Sequence, residues 1–351
     1  MQYCQQCVMP NTRPNTKLDE NNVCLACHNY EKRKEIVWNE RWEVLIDFTD
    51  FYKRNIGNNS YNCAIAVSGG KDSHYLVYLI KEKLGMSPLL IRVGDGFSNT
   101  ISGTRNIRNL SDTFDCDMVQ FDLSIAAYRK LTRYCFETYA NFPFVDGLVY
   151  TYPVQIAQNY GIKLLIYGED PGYEFGTSEV EHSCATDHVI TNQGLMTKLG
   201  LNIISHKEIM PIFMSFYVPW DGYDNYLLAK QYGFRDLTHE WIREGHCENF
   251  DQIDIVGWEV SHFLKYVKFG YGRVTDIASR WIREGRITRE KAIELVNEHD
   301  GKLDQKTLDD FLSFTGYTVR EFWAIVEKWW NKDIFEQKNR VWTKKKEYKL
   351  K

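Results

Sequence analysis

The sequence predicts an α/β protein built on a doubly wound parallel sheet, with a cysteine-rich module before the sheet and a mainly helical region after it. Within residues 61–220, short apolar segments alternate with helical ones, which is typical of parallel strands joined by crossover helices. A loop with two adjacent glycines, at residues 68–73, lies between the first apolar segment and the first helical one. Ligands of such sheets bind beyond the carboxyl ends of the strands, so this loop marks the expected site.

The chain divides into four expected segments. Residues 1–35 carry two cysteine pairs and little apolar periodicity, so we expect a metal-binding module without a core of its own. Residues 36–60 form a linking helix, because their apolar side chains recur at helical spacing. The sheet domain covers residues 61–220, and a helical, substrate-binding region covers residues 221–351. The predicted strands are 63–67, 89–93, 118–123 and 162–167, and the predicted helices of the sheet domain are 72–84, 100–114, 124–140 and 147–160.

Composition limits the partners and the compartment. The net charge of −4 and the pI of about 6.2 disfavour a nucleic-acid partner. No apolar run approaches the ~20 residues that span a bilayer, and the amino terminus has neither a basic leader nor an apolar signal core. We therefore expect a cytoplasmic protein with no membrane contact. The nine cysteines, an odd number, argue against a disulfide framework in a reducing compartment.

The loop at residues 68–73 has the composition of a pyrophosphate site. Its residues are Ser68, Gly69, Gly70, Lys71, Asp72 and Ser73. The glycines let the backbone approach an anion, and the N–H groups of the loop and of the following helix direct positive charge at the same point. Lys71 adds a mobile charge, and Asp72 can hold Mg²⁺ or cap the helix. A glycine turn without a phosphate ligand is the alternative interpretation.

The hexapeptide resembles the Ser-Gly-Gly-x-Asp-Ser signature of the PP-loop ATP pyrophosphatases. These enzymes cleave ATP between its α and β phosphates and pass AMP to a substrate oxygen. The resemblance implies that residues 68–73 bind ATP and that Lys71 and Asp72 take part in catalysis. The motif is neither a Walker A loop nor a dinucleotide-binding Gly-x-Gly-x-x-Gly loop.

An acidic segment follows the last predicted strand. Gly168, Glu169 and Asp170 end the strand, and Glu174 stands six residues after the glycine. The segment is similar to Gly-Thr-Asp-His-Ala-Ala-Glu of the NAD-synthetase branch, whose last Glu binds magnesium. The similarity implies that Gly168, Glu169 and Asp170 contact the nucleotide and that Glu174, a catalytic residue, binds Mg²⁺ with Asp72. A solvated acidic turn is the alternative.

The cysteine pairs predict a structural metal site. Cys4 and Cys7 form one Cys-x-x-Cys pair, Cys24 and Cys27 form the other, and 16 residues separate the pairs. This spacing is typical of a four-thiolate zinc site, which stabilises a module that lacks a core. Zinc is preferred, and an iron–sulfur cluster is the alternative.

The pattern as a whole resembles the N-acetyl sugar amidotransferases, from Cys4 to about Val296. Besides the motifs above, the segments that carry this resemblance are 219–221, 265–276 and 282–289. These enzymes belong to bacterial surface-sugar pathways, including lipopolysaccharide and nonulosonic-acid biosynthesis. The resemblance implies that AMP is transferred to the acetamido oxygen of a nucleotide-linked N-acetyl sugar, and that ammonia then replaces this oxygen to give an acetamidino group. The chain shows no glutaminase motif, so a separate glutaminase subunit is expected to supply the ammonia.

Three basic residues in the resembling segment are candidates for substrate binding. Lys265, Lys268 and Arg273 could hold the diphosphate or a carboxylate of the sugar substrate. A solvated helix face is the alternative. The rival function is that of a PP-loop tRNA-thiolating enzyme, which would need a catalytic cysteine or cysteine pair in the ATPase body; no pair occurs after Cys27.

Overall fold

A five-stranded sheet forms the centre of the computed structural model, which describes residues 1–55, 60–176, 178, 182–201, 208–339 and 341–351. Its strands are β1 (Cys63–Val67), β2 (Pro88–Val93), β3 (Met118–Phe121), β4 (Leu164–Tyr167) and β5 (Met210–Phe213). They lie in the order β3-β2-β1-β4-β5, and every neighbouring pair is parallel. The direction of strand addition reverses between β1 and β4, so a crevice opens there at the carboxyl ends of the strands.

Helices precede, connect and follow these strands. The helices up to the end of the sheet are α1 (Leu25–Arg33), α2 (Trp38–Arg54), α3 (Lys71–Tyr78), α4 (Ile101–Phe114), α5 (Ile125–Tyr139), α6 (Pro143–Asn159), α7 (Pro171–Phe175) and α8 (Thr186–Lys198). The helices after the sheet are α9 (Gly222–Gln231), α10 (Val260–Phe269), α11 (Arg273–Arg283), α12 (Arg289–His299), α13 (Gln305–Thr315) and α14 (Val319–Val326).

Helices pack on both faces of the sheet. On one face, Ile65 of β1 lies in a core with Leu76 and Leu110, next to helices α3 and α4. On the other face, Ala64 lies in a core with Val154 and Val189 of α6 and α8. Because successive strand residues point to opposite faces, this alternation buries both sides. The predicted doubly wound parallel sheet is confirmed.

The structure departs from the predicted elements of the sheet domain in several places, and helices α7 and α8 are among the elements that were not predicted. Strand β5 was not predicted, because it has only four residues and contains Pro211, which reads as a strand breaker. Helix α6 begins at Pro143, earlier than predicted, with the proline in its first turn, where a missing N–H costs nothing. Helix α3 continues as a π-helical turn over Leu79–Lys83 rather than as a regular α-helix.

The region after the sheet is mainly helical, as predicted, but it shares a core with the sheet domain. Phe311 and Phe322 of α13 and α14 pack against Phe136 of α5, and the rings of Phe136 and Phe322 stack with centroids 5.3 Å apart. An antiparallel hairpin of β6 (Phe335–Lys338) and β7 (Val341–Lys344) ends this region and was not predicted. The shared core fixes the helical region against the sheet.

The amino-terminal segments are also packed onto the body of the protein. The cysteine module lies in an apolar cluster with Tyr271, and Leu45 of α2 lies in the sheet core. Residues 56–59 of the predicted linking helix lie outside the described residues. In the described ranges, no helix has the length and apolar character that crossing a bilayer requires.

Candidate active site

The phosphate loop lies between β1 and α3, at the reversal point of the sheet. Gly69 has a φ of +90°, and a Cβ there would come within 3.1 Å of Ile107, so this position requires glycine. The Ser68 N–H donates to Ser73 Oγ at 3.0 Å, and the Gly70 N–H donates to Ser68 Oγ at 3.2 Å. These bonds curl the loop over the positive end of α3, where an anion is stabilised.

Lys71 is the only residue of the loop that reaches the carboxyl-terminal region through an ion pair in the described structure. Its side chain is buried, and its Nζ lies 2.5 Å from Asp72 Oδ2 and 2.9 Å from Asp251 Oδ1. Burial disfavours the charged amine, but the carboxylates of Asp251 and Asp72 outweigh this and raise the pKa of Lys71 above its ordinary value. Lys71 is therefore a protonated, positioned cation.

Asp251 is the centre of a buried ion network that the sequence did not reveal. Its Oδ2 accepts from Arg273 at 2.9 Å and from Arg280 at 2.6 Å, while its Oδ1 pairs with Lys71. Burial opposes ionisation, yet Lys71, Arg280 and Arg273 together hold the pKa of Asp251 well below its ordinary value. Asp251 belongs to no recognisable motif, so only its contacts identify it.

Arg280 connects this network to the acidic segment after β4. It donates to Glu174 Oε1 at 2.9 Å, and no sequence motif marks this residue, which lies on α11. Glu169 lies close by, and burial together with the charge of Glu174 raises its pKa well above the ordinary value. Glu169 and Asp72 of the phosphate loop line one cavity, so the structure brings this part of the acidic segment to the loop.

Gly168 and Asp170 also have roles in the local fold. A Cβ on Gly168 would lie 3.1 Å from the Trp220 ring, so the glycine allows the close approach of that ring. Asp170 is buried and accepts the N–H groups of Gly172 at 2.8 Å and of His182 at 3.0 Å. These bonds aim the Asp170 carboxylate into its own turn, so the predicted contact between Asp170 and the nucleotide has no support in the geometry.

A first cavity of about 270 Å³ opens at the carboxyl ends of β1, β2 and β4. The phosphate loop contributes Ser68, Asp72 and Ser73 to its wall, and Gly168 and Glu169 form part of the opposite side. Aromatic side chains complete the lining: Tyr150, Tyr167 and Trp220. An apolar pocket with aromatic walls beside an anion-binding loop is suited to a nucleotide.

A second cavity of about 280 Å³ lies on the other side of the phosphate loop, and Ser68 and Asp72 line both cavities. Its far wall comes from the segment after residue 249: Phe250, Asp251, Gln252, Asp254, Ile255 and Trp258. Asp95 and Asp146 also line it, and burial is the main reason that the pKa of each rises to about 6. The second cavity thus offers aromatic faces and hydrogen-bond acceptors next to Lys71.

A third cavity of about 300 Å³ adjoins the second, since Asp146 and Trp258 line both. Two of the three basic residues predicted to bind substrate, Lys265 and Lys268, line this third cavity. Arg273 does not, because its guanidinium is buried against Asp251. The predicted cluster is therefore divided: Arg273 supports the phosphate loop through Asp251, and the two lysines lie at a separate surface.

The four cysteines predicted to bind metal form a compact, buried cluster. Their Sγ atoms lie within 4.8 Å of one another, with Cys4 and Cys27 at 3.9 Å and Cys7 and Cys24 at 3.7 Å. A tetrahedral ion with metal–sulfur bonds of zinc length holds its sulfurs about 3.8 Å apart. Backbone N–H groups also point at the sulfurs, as from Cys24 to Cys4 Sγ at 3.3 Å. The geometry fits one tetrahedral ion, since a four-iron cluster would place each sulfur on a different iron and spread them farther.

The cysteine module contacts the acidic segment directly. Gly176, which follows α7, packs so closely on the module that a Cβ there would lie 2.4 Å from the Ala26 nitrogen. Arg13 donates to the Phe175 carbonyl oxygen at 2.7 Å. Arg283 donates to the Glu174 carbonyl oxygen at 3.3 Å. Burial lowers the pKa of Arg283, but the nearby cysteines of the cluster outweigh this effect and raise it. The module is therefore a support for α7, which carries Glu174.

Comparison with known protein families finds a match in the carboxyl-terminal part of the chain. Residues 244–349 match the family described as LPS biosynthesis protein WbpG-like, C-terminal domain. We refer to residues 244–349 as the WbpG-like region because of this similarity. This confirms the predicted resemblance to proteins of bacterial surface-sugar biosynthesis. The matched region supplies Asp251 and most of the far wall of the second cavity, so the WbpG-like region is part of the site.

Solved structures and curated sequences give further comparisons. The chain is similar to NMN synthetase from Francisella tularensis, with 12% identity, a TM-score of 0.34, and coverage of 82% of this chain and 96% of that one. It is also similar to the U34-tRNA thiolase NcsA from Methanococcus maripaludis, solved with its 4Fe-4S cluster, with 15% identity, a TM-score of 0.32, and coverage of 90% of this chain and 96% of that one. Comparison with curated protein sequences finds no match.

Proposed function

We propose that the protein is an ATP-dependent amidotransferase acting on a nucleotide-linked N-acetyl sugar. It would transfer AMP to the acetamido oxygen and replace that oxygen with ammonia, giving an acetamidino sugar, AMP and pyrophosphate. The carrying observation is that Ser68 and Asp72 of the phosphate loop line two cavities at once. A nucleotide in the first cavity and an acceptor in the second would meet at this loop, and the WbpG-like region forms the acceptor's wall.

The chemistry suits this arrangement of charges. The acetamido oxygen attacks the α phosphorus of ATP, the bond to the β-phosphate oxygen breaks, and pyrophosphate leaves. Ammonia then adds to the imidate carbon, AMP departs with the former amide oxygen, and a proton is released. Lys71, held by Asp251 and Asp72, places a fixed positive charge beside the phosphates, and the N–H groups of the loop add to it.

The second cavity is suited to a sugar ring. The aromatic side chains of Phe250 and Trp258 offer flat apolar faces, and Asp95, Asp146 and Asp254 offer acceptors for hydroxyl groups. Asp95 already accepts from the Tyr128 hydroxyl at 2.6 Å, which fixes its orientation. These features support a carbohydrate acceptor over a purely apolar one.

Two metals belong to this proposal. Mg²⁺ would be held at Glu169, Glu174 and Asp72, where the raised pKa of Glu169 reflects burial and crowded negative charge that a divalent cation would relieve. Glu169 is the more available ligand, because it lines the first cavity while Glu174 is engaged by Arg280. Zn²⁺ would be held by the cysteine cluster, where the sulfur spacing and the absence of an open ligand position support a structural role.

The cysteines disfavour the thiolating alternative. Sulfur transfer would require a cysteine at the reaction site, and the described linings of all three cavities contain none. Cys63, Cys116 and Cys135 are buried, and burial is the main cause that raises the pKa of Cys247 to about 12. Ammonia, which needs no such group on this chain, is the better-supported nucleophile, and a separate glutaminase would supply it in the cell.

The test is product analysis with defined substrates. The purified chain, ATP, Mg²⁺, ammonium chloride and nucleotide-linked N-acetyl sugars should give AMP, pyrophosphate and a sugar whose mass changes by the exchange of oxygen for NH. Lys71→Ala should lose most turnover, and glutamine should replace ammonium only when a glutaminase is added. ADP as the main product, or sulfur incorporated into tRNA in a parallel reaction, would refute the amidotransferase.

A further inference from the structure

The third cavity is a basic surface that adjoins the proposed acceptor site. Lys265, Lys268 and Arg13 line it, and it joins the second cavity at Asp146 and Trp258. Arg13 comes from the cysteine module, whereas the two lysines come from α10 in the WbpG-like region. Two distant parts of the chain thus contribute cations to one cavity, which shares Asp146 and Trp258 with the second cavity.

Lys268 is a cation without a matching anion. Its Nζ donates to the Tyr139 carbonyl oxygen at 2.9 Å and lies 5.1 Å from the centre of the Phe269 ring, but it forms no ion pair with a carboxylate among the described residues. Burial lowers the pKa of Lys268 to about 8, because a half-buried amine has lost hydration without gaining a counter-charge. An anion bound beside it would supply that charge.

The other two cations share a single buried carboxylate. Lys265 pairs with Asp276, and Arg13 acts on the same group, since Lys265 and then Arg13 lower the pKa of Asp276 against the effect of burial. Arg13, Lys265 and Lys268 thus line a cavity whose described lining includes one carboxylate, Asp146, at the boundary with the second cavity. The surplus of positive charge favours a ligand with more than one negative charge.

We propose that the third cavity binds the diphosphate of the nucleotide-linked sugar, with Lys268 as its main anchor and Arg13 and Lys265 beside it. This assignment rests on the proposed function and adds the orientation of the substrate. The sugar would lie in the second cavity with its acetamido group toward the phosphate loop, and the diphosphate would extend past Asp146 and Trp258.

A nucleoside diphosphate fits the lining better than a sugar carboxylate does. The cavity volume of about 300 Å³ exceeds the needs of one carboxylate, and the aromatic rings of Trp258, Phe269 and Tyr271 stand beside the cations. Such rings can stack on a nucleobase, and several cations together match the charge of two phosphates. A single carboxylate would leave most of this cavity empty.

The experiment measures nucleoside diphosphate binding with the first cavity already filled. Isothermal titration of UDP, GDP and TDP into the full chain, in saturating α,β-methylene-ATP and Mg²⁺, should reveal binding of at least one of them. Lys268→Met should weaken that binding about tenfold or more, as expected for a lost charge-assisted contact. Lys268→Arg should retain affinity within a few fold, and Lys130→Met, an exposed lysine on α5, should not change it.

The outcomes separate this assignment from the proposed reaction. Unchanged affinity in Lys268→Met, or no binding once α,β-methylene-ATP is present, would overturn the diphosphate site. Tighter binding of a sugar acid such as glucuronate than of any nucleoside diphosphate would overturn it in favour of a carboxylate. Binding that depends on Lys268 in a protein that forms no amidine would uphold the site and reject the proposed reaction.

Discussion

Replacing Asp251 with asparagine should destabilise the protein more than any exposed acidic substitution. The carboxylate is buried and holds Lys71, Arg273 and Arg280 at 2.6–2.9 Å. Asparagine keeps the volume but leaves these cations without their shared anion, and breaking a buried ion pair in this way costs about 3–5 kcal/mol. At roughly 2.1 cal/mol/K per residue, the unfolding entropy of 351 residues converts this loss into a melting temperature lower by about 4–7 °C.

The pH dependence of the stability difference between wild type and Asp251→Asn shows whether the difference is electrostatic. The pKa of Asp251 is lower in the folded chain than in the unfolded chain. Its contribution to the free energy of unfolding is therefore complete above the unfolded pKa of about 4 and is lost as the pH falls further. Thermal unfolding of wild type and Asp251→Asn should therefore differ by a constant amount between about pH 5 and 8 and converge at lower pH.

The control is Asp112→Asn, at an exposed position on α4, which should change stability by no more than about 0.5 kcal/mol. If Asp251→Asn behaves like this control at neutral pH, the ion network does not stabilise the fold. If the difference grows as the pH falls, the sign of the argument is wrong.

Two further experiments test the proposed metals. Glu169→Gln should raise the Mg²⁺ concentration needed for half-maximal turnover more than Glu174→Gln does, because Arg280 already engages Glu174; an equal effect, or a larger one at Glu174, would reverse the assignment. Cys24→Ser should lower the zinc content measured by mass spectrometry of the purified protein, whereas Cys135→Ser, at a buried cysteine outside the cluster, should not. Full zinc retention in Cys24→Ser would remove the cluster as the metal site.

The sequence predicted those features that depend on local pattern. The strands β1 to β4 were recognisable because each is an apolar segment followed by a helical one, and the phosphate loop because its glycines and hydroxyls are adjacent in the chain. The cysteine cluster was recognisable for the same reason: two knuckles each hold their ligands three residues apart. Short-range chemistry of this kind needs no knowledge of the tertiary fold.

The features that were missed depend on contacts between distant segments. Asp251 meets Lys71 across 180 positions of sequence, and Arg280 meets Glu174 across 106, so no spacing rule connects either pair. Arg273 was grouped with Lys265 and Lys268 because it is close to them in sequence. It begins a new helix, α11, after Gly272, and its buried side chain pairs with Asp251. The grouping by sequence was wrong because the lysines lie on α10 and Arg273 lies on α11, so their side chains point to different parts of the protein.

The WbpG-like region contributes to the charge of the phosphate loop as well as to the wall of the second cavity. Lys71 is the charge that would face the departing pyrophosphate, and its partner Asp251 lies within residues 244–349, as do Arg273 and Arg280. Asp251 thus connects the charge of the phosphate loop to the region that contributes to the second and third cavities, and under the proposed function catalysis and substrate binding would depend on the same packing.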